Sequence, residues 1–328
     1  MQKWSVLGLL VLTICFGISC SQSKTASSSS FKVALLSPGP VSDAGWNASA
    51  YEGLQRIKAE LGAEVSQVET KTPAEFEQGF RDYASQGYRL VFGHGFEFQD
   101  AAATVSKDFP NTVFITTSGT TVRPNVAPIV FEIEQATYLL GMMAARMSKT
   151  GKAGAVGGVQ IPSVKSSFDA FEAGAKAVNP NCRVIVSYIG NWEDVGAAKE
   201  AALALIDQRV DFIFHNADAA GLGVFQAVQE RKGVYAFGSN KDQNGIAPDV
   251  ILASAALSVP GAFVTVAKQV KEGTFKAQPM HLGMKEGAVS LVINPKLESK
   301  IPPDVRTSIE ETKQKILAGT LQVPKGFY

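Results

Sequence analysis

Short apolar runs alternate with amphipathic stretches of helical period through most of the chain, and the alternation is played out twice. Runs at 32–37, 64–68, 89–92, 113–117 and 127–131 predict strands, and stretches at 48–61, 73–86 and 99–109 predict the helices between them. Thr72, Pro73 and Glu75 mark a helix start: a hydroxyl cap, a proline in the first turn and an acid three residues past the cap. A helix at 134–148 carries the chain onward, and the pattern begins again. Strands are predicted at 152–157, 183–188, 212–216, 234–237 and 250–255, with helices at 163–178, 195–208, 221–231 and 260–272. Short strands near 280–284 and 288–293 and a helix at 303–318 close the chain. Strands that alternate with helices pair in parallel, because each helix is the crossover that returns the chain to the same edge. The class is therefore α/β, with two doubly wound parallel-sheet lobes. The repeat is architectural, without a fixed sequence period.

Composition narrows the function. Of 328 residues 45% are hydrophobic and 19% charged, which suits a globular core. The net charge of +1 argues against nucleic acid as a partner. Residues 1–20 read as a secretory signal: Lys3, then an apolar core too short for an ordinary membrane span. Ser19-Cys20 resembles a bacterial lipobox, although Gly17 stands where Leu is usual, and Cys15 follows the less suitable Ile14. Cys20 is the expected lipidation site, with residues 21–30 a serine-rich tether. Beyond it only Cys182 remains, so no internal disulfide forms, and three scattered histidines make no metal cluster. The expected organisation is signal 1–20, tether 21–30, lobe one 31–131 with 258–280, and lobe two 132–257 with 281–328. Crossings between the lobes fall near 131–134, 255–260 and 277–282, where a hinge is expected. The protein is expected to be a monomer, lipid-anchored to the cell membrane and facing the periplasm or exterior.

Enzyme motifs are missing: neither G-x-S-x-G nor H-E-x-x-H occurs. Gly221-Leu222-Gly223 imitates a dinucleotide fingerprint, but Gln226 replaces the third glycine. Two such lobes behind a secretory anchor describe a type I-like periplasmic binding protein, which closes on its ligand by hinge motion. The loops at 37–47, 93–98 and 117–121 in lobe one, and at 158–164, 190–195, 216–223 and 238–244 in lobe two, are then expected to face the cleft. The first holds Asp43, Trp46 and Asn47. Either Trp46 plugs the lobe and Asn47 caps the next helix, or a flat ligand lies on Trp46 while Asn47 or Asp43 bonds its edge. His94 and His215 end strands; they face the cleft or bond loop backbone.

Several segments resemble the basic membrane protein family of substrate-binding lipoproteins, which includes purine-nucleoside receptors of ABC transporters. They are Asp43-Ala44-Gly45-Trp46-Asn47 with Gly53; Gly93-His94-Gly95-Phe96 with Asp100; Pro124-Asn125-Val126; Tyr138 to Ala145; Asn191-Trp192; Gly221 to Val224; and Tyr235 to Gln243 with Ala247-Pro248. The resemblance implies that Trp46 and Trp192, one from each lobe, sandwich a purine, with Asn47 beside it. It also exposes departures. The aspartate that grips ribose in nucleoside receptors is Asn240 here, and the lysine that follows the next strand is Leu257. An aspartate that reads the base edge is replaced by Thr117 or Ser118, which leaves Asp218 as the carboxylate near the cleft. Candidate ligand-binding residues are thus Asp43, Trp46, Asn47, Phe96, Thr117, Ser118, Trp192, Asn216, Asp218, Gly238, Asn240 and Asp242. No cofactor or metal is expected. The partners are a small ligand and an ABC permease in the membrane. The ligand reading is a free purine base such as adenine or guanine. The alternatives are a nucleoside receptor with an altered ribose site, a sugar receptor, a sensor without a transporter, and a secreted nucleotide-using α/β enzyme.

Overall fold

The structure, a computed structural model, describes residues 30–325 together with Met1 and Trp4. The signal segment, Cys20 and most of the tether lie outside the described residues. In chain order the elements are β1 (Lys32–Ser37), α1 (Trp46–Leu61), β2 (Glu64–Glu69), α2 (Pro73–Ser85), β3 (Leu90–Gly93), α3 (Gln99–Val105), β4 (Val113–Thr117) and β5 (Val126–Phe131). Then come α4 (Glu134–Met147), β6 (Lys152–Gly157), α5 (Pro162–Val178), β7 (Arg183–Tyr188), α6 (Val195–Asp207), β8 (Phe212–Asn216), α7 (Leu222–Gln229), β9 (Tyr235–Asn240) and β10 (Ile251–Leu257). The chain closes with α8 (Val259–Glu272), β11 (Met280–Leu282), β12 (Val289–Ile293) and α9 (Pro303–Leu317). Short 3-10 turns at Phe96–Phe98 and Asp218–Gly221, which the apolar pattern does not announce, precede α3 and α7.

Two six-stranded sheets result, in the orders β11-β5-β4-β3-β1-β2 and β12-β10-β9-β8-β6-β7. The first is parallel throughout; in the second, β12 alone runs antiparallel, against β10. The central strand β1 reads Val-Ala-Leu-Leu because both its faces are covered, whereas the edge strand β2 is half-buried between exposed ends, Glu64 and Glu69. One apolar cluster joins the inner faces of both sheets through the crossings, and separate clusters back the outer face of each. The cap expected at Thr72 is present in full: Thr72 Oγ1 accepts from the Glu75 N–H at 3.3 Å, and Glu75 Oε2 accepts from the Thr72 N–H at 3.1 Å.

The chain passes between lobes after β5, after β10 and after β11. Strand β11 pairs with β5 through Leu282, because its backbone completes the edge of the first sheet. His281 and Leu282 therefore belong with the first sheet, and the third crossing falls at 283–288 instead of 277–282.

Helices α4 and α5 cross so closely that each needs a glycine. A Cβ on Gly141 would overlap the backbone carbonyl of Phe171, and one on Gly174 the carbonyl of Tyr138. Alanine at 141 would gain ~1 kcal/mol of helix propensity. It would lose about 1–3 kcal/mol or more by overpacking, because the obstacle is backbone and cannot swing aside. Gly141→Ala should lower the denaturation midpoint without changing the m-value. Gly245→Ala, where a Cβ meets nothing within 4 Å, should be near neutral. Equal midpoints for the two variants would contradict this packing account.

Candidate functional site

The strand orders reverse between β1 and β3 and again between β6 and β8. At such a switch point neighbouring loops diverge and leave a crevice beyond the carboxyl ends of the strands. The two crevices share one cavity. Lobe one contributes Pro38 and Trp46 after β1, Gly95, Phe96 and Glu97 after β3, and Ser118 after β4. Lobe two contributes Ile161, Ser163 and Val164 after β6, Trp192 after β7, Asn216 and Asp218 at and beyond the end of β8, and Asn240 at the end of β9. Phe131, Ile133, Glu134 and Leu257, from two of the crossings, complete the lining. Among the described residues, polar contacts between the lobes include Lys71 to Glu193 at 2.9 Å, Lys241 to Glu52 at 3.0 Å, and Gln243 Nε2 to the Ala44 carbonyl at 3.3 Å.

Trp46 is fixed before any ligand arrives. Asp43 Oδ1 accepts from the N–H groups of Gly45 and Ala48 at 3.0 and 2.8 Å, and its Oδ2 from the Asn47 N–H and Nδ2 at 2.8 and 3.0 Å. This carboxylate satisfies the open amides at the start of α1, where a negative charge also suits the helix dipole. The indole stacks on the His94 ring at 3.9 Å with 21° between planes, and its Nε1–H reaches the His94 carbonyl at 3.3 Å. His94 Nε2 donates to the Trp46 carbonyl at 3.0 Å, which leaves Nδ1 to accept from the Thr117 hydroxyl at 3.2 Å. Burial pushes His94 down to about 3, so the ring under Trp46 is neutral.

Trp192 lies over the backbone of Gly158; a Cβ there would enter the indole ring. Gly158 does not occupy the left-handed region, so alanine would strain no backbone angle; its Cβ would meet the Trp192 ring and, at 2.9 Å, the Asn191 carbonyl, and so would shift the loop that carries the ring. Gly158→Ala should therefore weaken ligand binding about tenfold while the melting temperature stays near that of the parent. Unchanged affinity in calorimetry would contradict the placement of Trp192.

Three carboxyls face the cavity, and two of them, Glu97 and Glu134, were not anticipated. Glu97 lies in the turn between Phe96 and Phe98, and burial pushes it up to about 7. Glu134, 1% exposed, opens α4; its Oε1 accepts from the Ser166 hydroxyl at 2.6 Å, and Oε2 has no protein partner. Burial raises its carboxyl as well. Asp218 is raised well above the usual carboxylate range by burial, and the charges of Asp43 and Glu97 add to this. Asn216 Oδ1 accepts from Asn240 Nδ2 at 3.2 Å, and Asn216 Nδ2 donates to Ser167 Oγ at 3.2 Å. Of the five non-glycine residues with positive φ among the described residues, Ser118, Asp218 and Asn240 line this cavity. Left-handed backbone at ordinary residues clusters where a site holds side chains in fixed directions.

Of the anticipated residues the structure brings together Trp46, Phe96, Ser118, Trp192, Asn216, Asp218 and Asn240. It places Asp43, Asn47, Thr117, Gly238 and Asp242 outside the lining. Asp43 is occupied with capping α1, the task expected of Asn47, which instead sits in the first turn with its Oδ1 buried and unpartnered. Thr117 faces His94. Gly238 is an interior strand position where a Cβ would strike Ser254 and Gln243. Asp242 is exposed, and its Oδ1 accepts from the Asn244 N–H at 3.0 Å. His215 is buried behind the site, its Nε2 donating to Gln243 Oε1 at 2.9 Å. Leu257 and Ser163, at a strand end and a helix start, line the cavity without having been named as contacts.

A family profile described as ABC transporter substrate-binding protein, PnrA-like, matches residues 30–326. The chain is similar to the purine-binding protein of Brucella abortus, at 33% identity over 88% of this chain and 82% of that protein. It is also similar to basic membrane protein A2 of Borrelia garinii subsp. bavariensis, at 30% identity over 96% and 95%. A solute-binding protein of an ABC transporter system from Aeropyrum pernix K1 superposes with a TM-score of 0.83 over 90% of this chain and 94% of that one. At 24% identity that likeness speaks for the two-lobed α/β fold alone.

Proposed function

The chain belongs to the PnrA-like family of ABC transporter substrate-binding proteins, and from that premise we propose that its cleft takes a free purine base. Proteins of this family are binding proteins and not enzymes, as the missing motifs led us to expect; they work outside the cytoplasm and deliver a small molecule to a membrane permease. The observation that carries the ligand class is the pair Trp46 and Trp192, one from each lobe, lining one cavity. Two aromatic faces suit a flat ring, and stacking contributes about 1–3 kcal/mol per base. The Brucella relative, by its name, binds purine.

A free base is favoured over a nucleoside by what lines the rest of the cavity. Leu257 offers no partner to a sugar hydroxyl, and one of the two N–H groups of the Asn240 amide is engaged by Asn216. Each buried hydroxyl left unpaired costs about 1–3 kcal/mol. Calorimetric titration with adenine, guanine, adenosine and guanosine should find the bases bound at least tenfold more tightly than their nucleosides. A nucleoside tenfold tighter than its own base would overturn the reading.

The working unit under this proposal is a monomer anchored through Cys20, supported by the Ser19-Cys20 pair after a short apolar signal. Cys20→Ser should move the protein from the membrane to the soluble fraction. A variant that stays with the membrane as firmly as the parent would sink the anchor, and a dimer in sedimentation would sink the monomer.

A further inference from the structure

The cavity is acceptor-rich. Glu97 comes from lobe one, Asp218 from lobe two and Glu134 from the crossing between them, and the lining contains no Lys, Arg or His. Each of the two asparagine amide nitrogens in the lining gives one of its two N–H groups to a protein oxygen. Among the described residues no three acidic, cysteine or histidine side chains stand close enough to hold a metal ion. Glu134 supplies the independent sign of a ligand contact: the residue lines the cavity, and its Oε2 is buried without a protein partner. A buried acceptor without a donor is rare in a finished structure and marks a place where a donor arrives with the ligand.

Resting on the purine reading above, we infer that Glu97, Glu134 and Asp218 select among flat purines for those that carry an amino group where a relative carries an oxo group. An amine turns N–H donors toward a carboxylate. An oxo group at the same position turns lone pairs toward an ionised carboxylate and leaves both partners unpaired, and a site built for one such bond rejects the analogue that lacks it far more strongly than a shape mismatch would. Burial raises all three groups, and a protonated carboxyl can donate its O–H to an oxo group, so the amino preference belongs to their ionised form and should grow as pH rises. Because Glu134 is the first residue of α4, a donor bonded to it would also touch the segment on which the lobes turn.

The test is calorimetry at pH 8, above the value near which Glu97 titrates. Adenine should bind at least about tenfold more tightly than hypoxanthine, guanine at least tenfold more tightly than xanthine, and 2,6-diaminopurine no more weakly than adenine. Glu97→Gln and Glu134→Gln each turn an acceptor pair into a mixed one, and at least one of them should narrow an amino-to-oxo ratio about tenfold. Hypoxanthine matching adenine and xanthine matching guanine in the parent protein would overturn the inference while leaving the purine reading in place. So would amino preferences unchanged in both variants. If none of the five bases binds, the purine reading itself fails and this inference falls with it.

Discussion

A parallel strand can be followed by another only through a crossover, so every strand of such a sheet delivers its next loop to the same edge. That geometry governs this molecule. In both sheets the chain adds its second strand on one side of the first and its later strands on the other, and both open a crevice at that switch. Three passages of chain then set the two edges facing each other. The cavity is the product: nearly every residue that lines it ends a strand, begins the following helix or belongs to a crossing.

Within that frame the two aromatic walls are prepared differently. Trp46 is held by bonding and stacking: Asp43 anchors the start of α1, His94 lies flat beneath the indole, and Thr117 holds His94 in its neutral tautomer. Trp192 is held by the absence of a side chain at Gly158, which lets the ring lie against the backbone. A rigid wall in each lobe reduces what a ligand must order on binding. The contacts of Lys71 with Glu193 and Lys241 with Glu52 lie between exposed side chains, so they help the lobes meet without dominating the energy.

Much of this was legible in the sequence because periodicity reports burial, and burial of alternating elements admits few layouts. The placement of Trp46, Trp192, Ser118, Asn216, Asp218 and Asn240 followed from their positions at strand ends. Direction was not legible. A polar residue just past a strand can point to the cavity or back into its own loop, and sequence does not separate Asp218, which faces the cavity, from Asp43, which faces backbone amides. Thr117 and Ser118 are adjacent, yet positive φ turns Ser118 to the cavity while Thr117 faces His94. Glu134 was placed at the start of a helix and given no role. The available signal was its setting after Phe131 and Ile133, where an acid in an apolar crossing has few reasons to be buried. Glu97, between two phenylalanines, gave a similar one.

The central claim is that a flat ligand lies between Trp46 and Trp192 in a cleft closed by both lobes. The most direct measurement is the affinity for adenine of Trp192→Ala and Trp192→Phe beside the parent, with denaturation midpoints as the control for folding. The account predicts that alanine weakens binding about tenfold or more, as expected for the loss of one stacked face, while phenylalanine restores most of it and all three proteins unfold at similar denaturant concentration. Unchanged affinity in Trp192→Ala together with a collapsed midpoint would show that Trp192 serves the packing of its lobe and not the ligand.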